Sequence, residues 1–230
     1  MKLFFRKKIE GSSFFRMFLN EMRFKRKTLN GSVFDFASLI KASFEKSELI
    51  KVSFGSSDLK RSNFNKAKGE DISFEGANLY GGKFVKVHFV RTNFKKINGT
   101  DAQFNNSILD ESLFTKADLR NSSFFNTSLV NSIFLGVNLK FVKMKNSNLE
   151  NAVLSESDLT SADLSGANLK SANLTKAIFH DVDLRGADLS NAIIEETKFR
   201  FAIFNENTRL PFSKEDAISI YDMKFISVND

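Results

Sequence analysis

The sequence predicts a repeat protein in which a five-residue unit is stacked on copies of itself. In the run of residues 149–189, a leucine, or once Phe179, recurs at every fifth position. A helix repeats apolar residues every 3.6 positions and a strand every 2, so a sustained period of five fits neither element alone. The period therefore indicates a repeat array, a form in which 230 residues can make one continuous domain.

The unit keeps its frame over most of the chain. From position 14 to position 204 the central residues of the units number 39, with no insertion or deletion, and 17 are Phe while 18 are Leu. The residue two positions before the centre is Ala, Ser, Thr, Val or Gly in 34 of the 39 units. Each unit is thus expected to bury one large and one small side chain. Five units depart from this rule, at Met17, Met22, Lys27, Ile72 and Ile97.

The most regular units match a known motif, A(D/N)LXX. Residues 162–166 read ADLSG, residues 167–169 read ANL, and residues 187–189 read ADL. Over about residues 12–206 the chain resembles the pentapeptide-repeat family. The resemblance implies an all-β fold, a right-handed parallel β-helix of quadrilateral cross-section with four repeats in each coil, and hence about ten coils.

The order of the central residues is consistent with such a coil. Between positions 14 and 134 the centres mostly alternate between Phe and Leu. On a four-sided coil this alternation places Phe on one pair of opposite faces and Leu on the other, so that like stacks on like at the ~4.8 Å spacing of paired strands. The alternation by itself requires only an even number of repeats per coil, and the number four rests on the resemblance.

Two glycines interrupt the pattern and mark a structural discontinuity. Loss of a large core side chain should cost about 2–5 kcal/mol unless a neighbour fills the space. Phe89 lies one coil beyond Gly69 in the same column, and Ile97 lies two residues before Gly99. We expect local repacking at both positions. The alternative is a hinge between an N-terminal and a C-terminal stack.

The two ends are expected to be covered, because an open end would expose strand edges and core. We predict an N-terminal cap at residues 1–11, the β-helix at 12–206, and a C-terminal cap at 207–230 with a short helix at about 214–225. Ser213 and Asp216 resemble a capping box at the start of this helix. An apolar surface for the last coil, or for a homodimer contact, is expected from Ile218, Ile220, Tyr221 and Phe225.

Residues for chemistry are scarce. The chain has no cysteine, so neither a disulfide nor a thiolate zinc site is expected. His88 and His180 fall at outward positions on different faces, too far apart to share a metal ion or a catalytic triad. We therefore predict no catalytic, metal-binding or cofactor-binding residue, and no cofactor. No apolar run approaches the ~20 residues of a membrane span, and the expected location is the cytoplasm.

Two outward surfaces are candidates for binding. Residues 1–68 carry 16 basic and 6 acidic residues, whereas the remainder carries 18 and 21. Within the basic part, one outer column stacks like charges and could attract an anionic surface, such as nucleic acid, a membrane or an acidic protein, or could simply be solvated. This basic column comprises Arg26, Lys46, Lys66 and Lys86. A second, apolar patch for a protein partner or a dimer comprises Leu113, Ile133, Leu135 and Val153.

The function that these features favour is that of a non-enzymatic, rigid binding or scaffold module for a macromolecular partner, an unknown protein. The chain also resembles the quinolone-resistance (Qnr-like) branch of the family in its length, its Phe and Leu centres and its glycine discontinuity. That resemblance implies DNA gyrase as the partner, engaged by mimicry of DNA. The formal net charge of +7 disfavours such mimicry.

Overall fold

The computed structural model describes residues 7–228, which wind into a parallel β-solenoid of about 11 turns. Residues that pair across turns lie 20 positions apart as far as Asp183 with Ile203, and 21 apart in the last turn, as in Asp188 with Arg209; every such pair is parallel. The spacing confirms the coil of four five-residue units. Paired backbone begins at Lys8, inside the segment predicted as the N-terminal cap, while residues 1–6 of that segment lie outside the described residues.

Over the first turns, as far as Val90, one of the four faces forms a continuous sheet; the rest of that face and the other three faces are joined by bridges between single residues. The sheet has five parallel strands in the order β1-β2-β3-β4-β5. A second, two-stranded sheet and one helix lie at the C-terminal end. The strands and the helix are β1 (Lys8–Glu10), β2 (Thr28–Asn30), β3 (Glu48–Ile50), β4 (Lys68–Glu70), β5 (His88–Val90), β6 (Ile203–Phe204), α1 (Lys214–Ser219) and β7 (Lys224–Phe225).

Each corner of the solenoid is closed by a tight turn. The residue two positions after each centre has a positive φ at every corner from position 11 to position 201, for example 58° at Arg26 and 57° at Asn131. A positive φ at the third residue of a four-residue turn is typical of type II geometry, which Gly and Asn adopt at least cost. Most corners here hold other residue types, so the pairing between coils must offset a repeated local strain.

The core consists of stacked side chains. Two columns of phenylalanine rings, at 14, 34, 54 … 134 and at 24, 44, 64 … 124, stack with centroids 4.5–5.1 Å apart. Rings of opposite columns meet edge to face at 5.2–6.4 Å. Both arrangements are favourable for aromatic quadrupoles. From Met144 onward leucine replaces most of these rings, and the small residues two positions before the centres complete the packing.

The C-terminal helix is shorter than predicted. It begins after Ser213, whose hydroxyl oxygen accepts a hydrogen bond from the Asp216 N–H at 3.0 Å, but it ends at Ser219 rather than near 225. Beyond Ser219 the chain leaves the helix and forms β7, which pairs with β6 and covers the edge of the last coil. Of the predicted apolar contacts, Tyr221 packs against the core whereas Ile220 is 68% exposed.

Candidate functional site

The outward positions of each unit are the residue directly before the centre, the residue directly after it and the corner residue, and these carry whatever the protein presents to a partner. Within residues 7–228, no group of three or more His, Asp or Glu side chains is arranged to hold a metal ion. His88 is exposed on β5, and His180 lies on a different face. No helix in this part of the chain is both long and apolar enough to cross a bilayer.

The Asp or Asn directly before many centres has a structural role that the sequence reasoning missed. Oδ1 of Asp163 accepts a hydrogen bond from the backbone N–H of Ser165 at 3.0 Å, and the same bond joins Asp183 to Arg185 at 3.0 Å. Such a bond fixes the turn that follows the centre. The D/N position of the motif is therefore explained by turn geometry rather than by chemistry at the surface.

The predicted basic column exists as a physical column. Its four side chains stand at successive turns of one corner, all exposed, with φ between 57° and 61°. Glu45, beside the column, forms an ion pair with Lys25 at 2.8 Å. The hydrogen bond from Lys25 is the largest cause that holds the pKa of Glu45 below its ordinary value, and the charges of Lys46 and Arg26 lower it further. The column is thus a local source of positive potential with one acidic neighbour.

The predicted apolar patch is less prominent than the sequence suggests. Leu113 pairs with Ile133, and Ile133 pairs with Val153, so these three residues do form one column on one face. All three are only half-buried, however, because neighbouring turns shield them, and Leu135 is 37% exposed. The structure brings the patch together as a shallow surface.

A more exposed apolar surface lies on the first two coils, where the sequence predicted no site. Its most exposed member is Phe18, at 89%, and the rings of Phe15 and Phe36 meet edge to face at 5.7 Å. The guanidinium of Arg16 stands 5.1 Å from the Phe15 ring centroid and 5.8 Å from that of Phe36. We call this set the N-terminal aromatic cluster: Phe15, Met17, Phe18 and Phe36.

The repeat frame itself contains the signal for this cluster. A phenylalanine at a centre is buried, whereas one directly before a centre, directly after it or at a corner points outward. Phe18, Phe15 and Phe36 occupy those three outward positions in turn. A search for phenylalanines outside the central positions identifies them without a structure.

At Gly69, the first glycine of the discontinuity, neighbouring atoms fill the space that a side chain would occupy, and the backbone pairing is unbroken. A Cβ on Gly69 would lie 2.1 Å from the carbonyl oxygen of Leu49 and 2.9 Å from Cδ1 of Ile72. Phe89, as expected, fills part of the core beside it, with its ring 6.4 Å from that of Phe64. The strand pairing continues through Gly69 on both sides. Outside it lies an open groove of about 420 Å³, lined by Glu48, Ile50, Lys68, Gly69, Glu70, His88, Val90 and Arg91.

The second glycine is packed in the same way. A Cβ on Gly99 would lie 2.7 Å from Cδ2 of Leu119 and 3.3 Å from Cδ1 of Ile97. Ile97, which sequence reasoning had paired with this glycine, therefore does occupy the space, together with a leucine from the following coil. The bridge between Asn98 and Asp118 keeps the coils in register here.

Comparison with known proteins agrees with this architecture. The family model for pentapeptide repeats matches residues 29–65, 100–136, 132–170 and 167–205, in 8 copies. A search among curated proteins finds no match to the sequence.

Solved structures share the fold at low identity. A trypsin-treated form of QnrB1, a plasmid-mediated fluoroquinolone resistance protein, is 11% identical over 95% of this chain and 91% of its own, with a TM-score of 0.58. HetL from the cyanobacterium Nostoc sp., a pentapeptide repeat protein involved in heterocyst differentiation regulation, is 20% identical over 90% of this chain and 94% of its own, with a TM-score of 0.47. Since the repeat model covers well over half of the residues, this chain belongs to the pentapeptide-repeat family.

Proposed function

We propose that the protein is a non-enzymatic, cytoplasmic binding module, a rigid rod that presents fixed side chains to a macromolecular partner. The observation that carries this proposal is the exposure of Phe18 and its aromatic neighbours on a rod whose other phenylalanines are mostly buried in its core. Contiguous exposed apolar side chains are typical of interaction surfaces. The stacked core supports the same role, because a rigid support holds such side chains in place at little cost in entropy.

Site-specific photo-cross-linking in the native cell tests this function. A photoreactive amino acid in place of Phe18 should give a discrete adduct, whereas the same group in place of Ile193, an exposed residue at the same position of its unit but at the other end, should not. Equal labelling from both positions would contradict a defined binding surface. A turnover activity that is lost when clustered polar residues are changed would contradict the non-enzymatic proposal.

The resemblance to the Qnr-like branch implies one specific partner, DNA gyrase. The described surface supports gyrase less well than it supports a binding module in general. Asp158, Asp163 and Asp188 pair on three different faces, and each binds the backbone of its own turn. They form no continuous acidic stripe like that of DNA. A supercoiling assay with purified gyrase, with and without a fluoroquinolone, tests this alternative, and no effect at micromolar protein would exclude it.

A homodimer through the C-terminal cap is supported by the exposure of Ile218 and Ile220, which are 48% and 68% exposed on and beside α1. Sedimentation velocity of the protein and of the Ile220→Asp variant distinguishes a dimer, which this charge should dissociate, from a monomer.

A further inference from the structure

The N-terminal aromatic cluster lies in the most basic part of the chain. The first 27 residues carry nine basic and two acidic residues, a net charge of +7 that equals the net charge of the whole chain. All other residues together are therefore electrically balanced. Apolar outward residues and positive charge thus coincide in the first part of the sequence.

Several of these cations are available to a ligand. Among residues 7–228, no carboxylate oxygen lies within 4.0 Å of the guanidinium nitrogens of Arg16, Arg23 or Arg26, and all three side chains are exposed. The ion pairs nearby belong to lysines, for instance Lys41 with Glu21 at 3.5 Å. Arginine that is exposed, weakly hydrated and unpaired is well suited to bind phosphate.

We propose that this end of the solenoid docks on the surface of an anionic lipid bilayer. Phe15 and Phe18 would enter the boundary between head groups and acyl chains, while Arg16 beside them contacts lipid phosphates and the other cations of the first coil add attraction at longer range. Apolar side chains next to Lys and Arg are the features that hold peripheral proteins at such a surface. The inference rests on the proposed function, in which the protein acts through outward surfaces, and it names the class of partner.

The arrangement favours a bilayer over nucleic acid. Single-stranded nucleic acid requires a basic groove with aromatic rings along the path of the strand. Here the aromatic rings cluster at one corner of the first two coils, and the basic column stands at the opposite corner with no ring beside it. A side chain as exposed as Phe18, at 89%, at the end of a rod can be buried fully by a soft planar surface.

Co-sedimentation of the full chain with lipid vesicles tests the proposal. We expect binding to phosphatidylcholine vesicles that contain about 30 mol% phosphatidylglycerol, and at least tenfold weaker binding to pure phosphatidylcholine, since each cation near an anionic surface adds roughly fivefold. Binding to the anionic vesicles should weaken steeply as salt is raised, because the charges are exposed.

A matched pair of double variants isolates the cluster. Phe18→Ser with Phe36→Asn should weaken binding to anionic vesicles at least tenfold. The control, Ile193→Ser with Phe141→Asn, should bind within about twofold of the unchanged protein. Ile193 precedes a centre as Phe18 does, and Phe141 is a corner residue with a φ of 59° where Phe36 has 58°. Asn accepts this backbone conformation, so both variants should fold, which circular dichroism and thermal unfolding verify.

Three results would overturn the proposal. They are absence of binding to the anionic vesicles, equal loss in the two double variants, and binding that depends on salt but is unchanged by Phe18→Ser with Phe36→Asn. Tight binding to a single-stranded oligonucleotide without binding to vesicles would assign the surface to nucleic acid instead. A protein adduct from the photoreactive group at Phe18 without vesicle binding would reject the bilayer while leaving the binding module intact.

Discussion

At the scale of single residues, each position of the five-residue unit has one structural role, and residues that depart from this role are informative. The small residue two positions before a centre is buried, and where it is Ser its hydroxyl commonly donates to a backbone carbonyl. Ser122 Oγ donates to the Leu119 carbonyl oxygen at 2.6 Å. Ser62, which stands at the same position three coils earlier, is fully buried and its hydroxyl has no hydrogen-bond partner within residues 7–228.

This difference predicts opposite effects for the same substitution. Ser62→Ala should raise the free energy of unfolding by about 1 kcal/mol, because it removes a buried polar group without a partner. Ser122→Ala should lower it by about 0.5–1 kcal/mol, since it removes a hydrogen bond. Urea unfolding of both variants measures the effect. If Ser62→Ala were the less stable of the two, the assignment of the unpaired hydroxyl would be wrong.

Gly69 gives a second prediction at this scale. Gly69→Leu restores the consensus of the repeat, yet it should lower stability by about 2–3 kcal/mol, because the space is occupied by the Leu49 backbone and Ile72. Gly31→Asn is the control, since its φ of 60° suits Asn and nothing lies within 4 Å of a Cβ there. Thermal unfolding compares the two. A more stable Gly69→Leu variant would show that the repeat consensus outweighs the local packing.

At the scale of the turn, charged pairs stabilise the corners of individual coils. Asp118 lies directly before a centre and binds Arg120 two residues on, with Nη2 2.6 Å from Oδ2. The side-chain hydrogen bond from Arg120 is the largest cause that lowers the pKa of Asp118. The hydrogen bond from the Ser190 side chain likewise lowers the pKa of Asp188.

A lowered pKa in the folded state fixes the sign of the pH dependence. The stabilisation is complete above the unfolded pKa of about 3.9 and is lost as the pH falls through the lower folded value. Urea midpoints should therefore decrease between about pH 5 and pH 2. Asp118→Asn retains the acceptor for the turn and abolishes the titration, so its midpoint should decrease less. An identical decrease in both proteins would indicate that other carboxylates dominate.

The C-terminal cap shows what local sequence patterns can and cannot predict. The capping Ser213 was readable from the sequence, because an N-cap depends on neighbouring residues. The end of α1 was not predictable in this way. It is set by the pairing of β7 (Lys224–Phe225) with β6 (Ile203–Phe204), and these two strands are distant in sequence.

At the scale of the whole molecule, the fold was predictable and the binding surface only partly so. The unbroken frame of 39 centres predicts a stack of equal units, and the pairing at intervals of 20 residues confirms its geometry. The basic column and the apolar patch follow from that register. The N-terminal aromatic cluster was not predicted as one surface, because its three phenylalanines occupy three kinds of outward position whose proximity depends on the shape of the corner, and Met17 occupies a position that is usually buried.

The turn that closes every corner has a consequence for how this protein can change in length. Because all corners share one backbone conformation, a duplication of 20 residues would add a complete turn and lengthen the rod by about 4.8 Å while leaving every other contact in place. An insertion of a single residue within the regular coils would instead move each following phenylalanine or leucine out of the core, and one extra residue is taken up at the last turn, where Asp188 pairs with Arg209. Along the regular coils, length is therefore variable in whole turns, and the distance between two surface sites there changes by that step.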